Sequence, residues 1–210
     1  QTRGKVIYIN TPQYELFLQS HKRFDKDKCG DHVLHKEFPE ESLILLVLAD
    51  GVSSHACDWK ASKMACEIIT AEFPKTIGSI EERLTESINI AHEVIKAETG
   101  DCKGLFCSLS LVAWQLEKNK INYVNIADSR IFRNSFEQIV CLTVDDAVWV
   151  ARDPKNPLEK SPVITKALGQ REELEFEVKA VEFKPGESLV IATDGIFGHI
   201  VESLNHDIVT

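Results

Sequence analysis

The chain has no basic surplus, and its Lys and Arg residues form no cluster. With a formal net charge of -9 and a pI near 5.3 it offers no face on which the phosphates of a nucleic acid or an anionic membrane would settle. Long apolar runs are missing as well. The longest are strand-sized, short of the ~20 residues a membrane helix needs, and no basic segment followed by an apolar stretch opens the chain. A soluble, cytoplasmic protein is the expectation. Regular cysteine spacing is also lacking. Cys29, Cys57, Cys66, Cys102, Cys107 and Cys141 are scattered with no C-x-x-C pair, which argues against a disulfide framework and against structural zinc. Most of them are expected to be free thiols in a reducing compartment. Repeats, low-complexity tracts and Pro/Gly/Ser linkers are absent too, so the 210 residues, 43% of them hydrophobic, are expected to form one domain. The first residue is Gln, as in a processed or trimmed polypeptide.

What the chain does contain is strands around a helix pair. Strand-like runs cover residues 5–10, 43–49, 105–116, 121–127, 138–142, 174–183 and 188–193. Glu117 to Lys120 would join the third and fourth of these as a hairpin, and Pro185-Gly186 would turn the chain into the last. Between the first and middle strands, Ala61, Met64, Ala65 and Ile68 share one helical face, and Ile80, Leu84, Ile88, Ala91 and Ile95 share another. Ser79 with Glu82 reads as a capping box and Gly100 as the C-terminal stop. The fold class expected is α+β, an antiparallel β-sandwich flanked by helix pairs.

Three apolar runs end in an aspartate at a turn: SLILLVLADG at Asp50-Gly51, INYVNIADSR at Asp128 and SLVIATDG at Asp194-Gly195. Carboxylates gathered on one sheet rim repel one another unless positive charge lies between them, and the natural filler is hard, oxygen-loving divalent cations. The pattern therefore predicts a metal site.

In the order LVLADGVSSHACDWKASKMA, INYVNIADSRIFR, LTVDD, VITKALGQ and SLVIATDGIFG, the motifs resemble the type 2C metal-dependent protein serine/threonine phosphatases, from about residue 20 to about residue 198. The opening SHKRFDKDKCGDH looks like a bacterial branch with Ser-His and then Cys-x-Asp. On that match Asp31 is the acidic residue of the first motif, with Asp25 and Asp27 as alternatives whose spacing from Arg23 suits the commoner version. The resemblance implies that Asp50 bridges two Mn²⁺ or Mg²⁺ ions and that the Gly51 carbonyl oxygen also binds one of them. Asp194 would bind the other ion, Asp31 would act through water, and Asp128 would serve a third, weaker ion. Arg23 would hold the phosphate, with His21 as the fallback. The activity implied is hydrolysis of phosphoserine and phosphothreonine in proteins by a metal-activated water, with a phosphorylated protein as substrate and a kinase in opposition.

Departures from the family pattern set the alternative. Val52-Ser53-Ser54-His55 stands where Met-Gly-Gly-His is common, Ala127 replaces a glycine, and Asp146 stands where histidine is frequent. His55 could protonate the leaving alkoxide, although a helix-start role is the plainer expectation. Lys166 is read as a surface lysine or a support near the site, and Trp59, Trp114 and Trp149 as packing residues. The family's final Asp-Asn pair is not found, and Asp207 is no substitute for it, so the 1–210 segment is expected to be either trimmed or a degenerate member. The rival reading is thus a catalytically weak pseudophosphatase that serves as a binding module. A phosphatase for a different monoester is a third.

Overall fold

A computed structural model describes residues 6–21, 27–52, 57–135, 138–153, 156–170 and 173–196, with the backbone alone for residues 152, 153 and 156–161. Among these, the elements in chain order are β1 (Val6–Asn10), β2 (Glu15–Gln19), β3 (Asp31–Phe38), β4 (Leu43–Asp50), α1 (Asp58–Glu72), α2 (Ile80–Lys96), β5 (Leu109–Gln115) and β6 (Lys120–Ile126). There follow β7 (Arg130–Asn134), β8 (Ile139–Cys141), β9 (Ala147–Asp153), β10 (Asn156–Ile164), β11 (Lys179–Glu182) and β12 (Ser188–Ala192). Every strand pair is antiparallel. The main sheet runs β11-β6-β5-β4-β3, a smaller one β12-β7-β8, and β1-β2 and β9-β10 are two-stranded.

The unbroken apolar run of β4 is explained by burial on both faces. Leu43, Leu45, Val47 and Ala49 point to the helix side, where they meet Ala61, Ala65 and Ile69 of α1 and Leu84, Ile88 and Ile95 of α2. Ile44 and Leu46 point the other way and join Val112, Tyr123 and Ile131 between the main and smaller sheets. The two-residue period of β4 thus feeds two cores, one helix-on-sheet and one sheet-on-sheet. The sandwich expected from the sequence is present, with one helix pair among the described residues. Trp114 packs edge-on between Tyr14 and Phe183, ring centres 5.7 and 5.3 Å away, as a packing residue should. Trp149 does not: it is 64% exposed on β9, with Val148 and Val150 beside it.

The capping box is formed, Ser79 Oγ accepting from the Glu82 N–H and Glu82 accepting from the Ser79 N–H. Gly100 is not the helix stop. Helix α2 ends at Lys96, and Gly100, at φ +70°, opens a separate 3-10 turn. The β5-β6 hairpin is present but turns one residue earlier than expected, with Gln115 opposite Lys120, so Lys120 belongs to the strand and not to the turn. The turn at Pro185-Gly186 closes by Glu187 N–H donating to the Lys184 carbonyl. Strands β2, β3, β7, β9 and β10 lie outside the runs picked from sequence, and the run at 105–116 is strand only from Leu109. Half-buried strands such as β3, with His32, His35 and Lys36 among its residues, lack a sustained apolar run.

Four of the six cysteines are free thiols, but Cys57 and Cys102 form a disulfide across 45 residues. The bond ties the N-cap of α1 to the 3-10 turn after α2. Irregular spacing hid it, because only the packing of α1 on α2 brings the two segments together. Chain entropy alone makes a cross-link of this loop size worth up to about 4 kcal/mol. Cys102→Ser, or a dithiol reductant, is therefore expected to lower the melting temperature by roughly 5–15 °C. Equal melting of reduced and oxidised protein would show that the bond contributes nothing.

Candidate metal centre

The centre grows from the end of β4. Asp50 closes that strand and Asp31 opens β3, and the antiparallel register sets the two directly opposite each other. Two carboxylates at facing positions repel as anions, so the arrangement stands only with a shared proton or a cation between them. In the metal-free protein burial, then the Asp31 charge and hydrogen bond, then Asp194 and Asp128, push the Asp50 carboxyl up to about 9. Burial likewise raises Asp31, and Asp194 and Asp58 add to it, against the pull of the hydrogen bonds from Asp50 and Thr193. Asp128 is raised by burial and by Asp194.

Backbone contacts hold these groups in place. Asp50 N–H donates to Ser108 Oγ at 3.2 Å and the Ser108 N–H donates to the Asp50 carbonyl at 2.8 Å, while Ser108 and Ser129 hydroxyls lie 2.7 Å apart. Thr193, 3% exposed, points its hydroxyl at Asp31 Oδ2 across 3.4 Å. Asp194 follows Thr193 at the first helical turn beyond β12. Gly51 sits where the chain leaves β4, its N–H donating to the Gly30 carbonyl at 3.1 Å. A Cβ there would lie 2.1 Å from the Asp58 carbonyl oxygen, so only glycine lets the first turn of α1 approach this closely.

Asp31, Asp50, Gly51, Asp128 and Asp194 line one cavity of about 650 Å³, together with Asp58, Lys28 and His21. Asp31, Asp50, Asp128 and Asp194 therefore share one cavity wall. Asp27 is exposed and is not among the lining residues, so the β3-β4 register favours Asp31 over it. Asp25, Arg23, His55 and Asp207 lie outside the described residues. Among the described residues no three side chains already converge as a metal-holding group. The donors still suit hard cations: every acidic group offers oxygen, and carboxylates this close repel as anions unless positive charge or protons lie between them.

Sequence reasoning missed Asp58 and Thr193. Asp58 is 5% exposed at the start of α1, its Oδ1 accepting from the Trp59 N–H at 2.7 Å. An aspartate in a helix's first turn looks like an ordinary cap, and nothing short of the fold puts it beside Gly30 and Gly51. Ala127 has φ +75°, a left-handed conformation costing an L-residue roughly 1 kcal/mol, so alanine in place of glycine carries a backbone cost here. Asp146 helps fix that bend by accepting from the Ala127 N–H at 3.1 Å and pairing with Lys166 Nζ at 3.2 Å, which gives Lys166 a supporting contact. Arg130 places its guanidinium on both Asp145 oxygens, at 2.9 and 2.7 Å.

The antiparallel sandwich with its helix pair thus carries an acid-lined cavity. The protein phosphatase 2C family profile matches residues 19–208, and the chain belongs to that family. A putative protein phosphatase 2C-type from Streptococcus pyogenes is 28% identical over 185 residues, covering 81% of this chain and 73% of the relative. The protein phosphatase PhpP of Streptococcus pneumoniae is 26% identical over 180 residues, covering 79% and 72%. In fold the chain is similar to the Mycobacterium tuberculosis serine/threonine phosphatase PstP/Ppp, with a TM-score of 0.66, 20% identity, and 84% of this chain and 77% of that one covered. A further crystal structure of the PstP catalytic domain is of a complex with two manganese ions, at a TM-score of 0.64, 20% identity, and 84% and 76% covered. No helix among the described residues is long and apolar enough to cross a membrane.

Proposed function

We propose that this protein hydrolyses phosphoserine and phosphothreonine in proteins, with Mn²⁺ or Mg²⁺ as cofactor. The observation that carries the reading is the facing pair Asp31 and Asp50 in a cavity that Asp128 and Asp194 also line, in a chain of this family. Asp50 and the Gly51 carbonyl would hold one ion, Asp50 and Asp194 the other, Asp31 would act through an intervening water, and Asp128 would serve a weaker third site. When bound, such ions supply the Lewis acidity that makes hydroxide available at neutral pH and screens the phosphoryl oxygens.

The chain's own residues do the rest. The Ser108 contacts hold the β4 end still, so Asp50 needs little reorganisation to receive cations. Thr193 orients Asp31 toward the same space. Leu48, Ile164 and Ile191 supply apolar wall, which limits water and strengthens electrostatic attraction inside. His21 lines the cavity and would meet a phosphoryl oxygen there, as the fallback for the role assigned to Arg23. The substrate is a phosphorylated protein and the opposing partner a kinase, in the cytoplasm. The binding-module reading has no observation of its own to favour it.

Phosphate release from a phosphothreonine peptide is expected in Mn²⁺ and is expected to stop with chelator. Release that is absent in Mn²⁺ and Mg²⁺, from protein of intact fold, would overturn the proposal.

A further inference from the structure

Lys28 lies in the loop just before β3, three residues ahead of Asp31, and it is exposed at the cavity rim. Among the described lining residues it is the sole lysine or arginine. Its Nζ sits 3.4 Å from the centre of the Trp59 ring, over an aromatic face. Trp59 is the second residue of α1, and its N–H is held by Asp58 Oδ1, which anchors the ring's backbone beside the site.

That placement has an electrostatic consequence. A lysine beside Asp31, Asp50, Asp58, Asp128 and Asp194 would ordinarily fold onto one of them and spend its donors there. Held on a π face, an ammonium has donors not turned to the ring that stay available for a second, anionic partner. The need for such a charge follows from a simple balance. Two divalent ions against Asp31, Asp50, Asp128 and Asp194 come to about zero, and Asp58 adds a further negative charge. A phosphate monoester dianion approaching that wall is drawn in by cationic side chains at the mouth, and among the described lining residues Lys28 is the lysine or arginine that stands there, in addition to the role assigned to Arg23.

We propose that Lys28, held on Trp59, binds and orients the phosphoryl group of the substrate at the cavity mouth. The inference rests on the phosphatase reading for its substrate, and the phosphate contact itself is open to measurement without turnover. Lysine suits this role as a compact point charge that can swing from ring to phosphate, and Trp59 limits the arc it must cover.

The test uses the Mn²⁺-loaded protein with inorganic phosphate as the probe, its affinity measured by calorimetry, for the wild type, Lys28→Gln, Lys28→Arg and Trp59→Leu. Kinetics with p-nitrophenyl phosphate and with a phosphothreonine peptide are measured alongside. Lys28→Gln is expected to weaken phosphate roughly tenfold or more and to raise KM for both substrates alike, as loss of one charged contact would. Its kcat should stay within about threefold of the wild type, because uniform binding is what is lost. Lys28→Arg should recover most of the affinity, and Trp59→Leu should fall between. Because Lys28 is exposed, an unchanged melting temperature of Lys28→Gln excludes a folding cause. Phosphate affinity indifferent to Lys28→Gln, or no phosphate binding by the wild type, overturns the inference. So does a KM effect confined to the peptide, which would place Lys28 on residues flanking the phosphate. Lys28-dependent phosphate binding without turnover by the wild type would leave this inference standing and remove the catalytic one.

Discussion

Asp50→Asn is expected to reduce metal-dependent phosphate release by at least ~10³-fold, because on the proposed reading it would remove a ligand shared by two ions and with it several kcal/mol of transition-state stabilisation. The same substitution is expected to make the metal-free protein more stable at pH 8. Burial and the neighbouring carboxylates raise the Asp50 carboxyl to about 9, whereas in the unfolded chain it lies near 4. Between those values the folded state holds a proton that the unfolded state has released. Stability of the metal-free protein therefore falls as pH rises from about 4 towards about 9, and it levels off beyond. An amide carries no charge at any pH and escapes that penalty. Asn at position 50 should raise the metal-free melting temperature at pH 8 by ~4–8 °C, flatten its pH profile, and abolish most of the further rise that Mn²⁺ gives the wild type. Wild-type-like turnover in the Asn variant would remove Asp50 from the ion site. A metal-free melting temperature that does not move between pH 5 and pH 8 would mean that the facing carboxylates relax apart.

Gly51→Ala should be as damaging by a different route. The added Cβ would lie 2.1 Å from the Asp58 carbonyl oxygen and 2.4 Å from its carbon, both backbone atoms at the start of α1. Neither can swing aside as a side chain would, so α1 must shift or β4 must end differently. A cost of ~3 kcal/mol is expected, with Mn²⁺ affinity and activity falling together, since the Gly51 carbonyl and Asp50 move with the strand end. Gly30→Ala is the control. Its Cβ would meet Asp58 and Gly51 atoms no closer than 3.7 Å, ordinary contact, so its melting temperature should stay within ~2 °C of the wild type. Equal stability of both variants would show that the α1 approach to β4 is looser than these contacts require.

The parts of the fold that could be read in advance share a physical cause. Strand β4 is apolar on both faces, and α2 carries a helical stripe with a capping box, so each announces itself within a dozen residues. Strands β3 and β7 mix polar and apolar residues because they are only half covered, and their pairing partners decide them. Ala127 shows the same limit within a turn. Its left-handed backbone is imposed by Asp146 and the chain reversal, against alanine's own preference.

In the site, the chain's local chemistry determined the donor type: Asp50, Asp128 and Asp194 at strand ends, all offering oxygen atoms of the kind hard cations take. What only the tertiary structure decided was which groups face one another. The β3-β4 register set Asp31 and not Asp27 opposite Asp50, the packing of α1 brought Asp58 against Gly51, and helix contact joined Cys57 to Cys102. Residue type is a property of the chain, whereas electrostatic repulsion, raised carboxyl pKa values and a need for cations depend on distance between residues far apart in sequence, and distance exists only once the chain has folded.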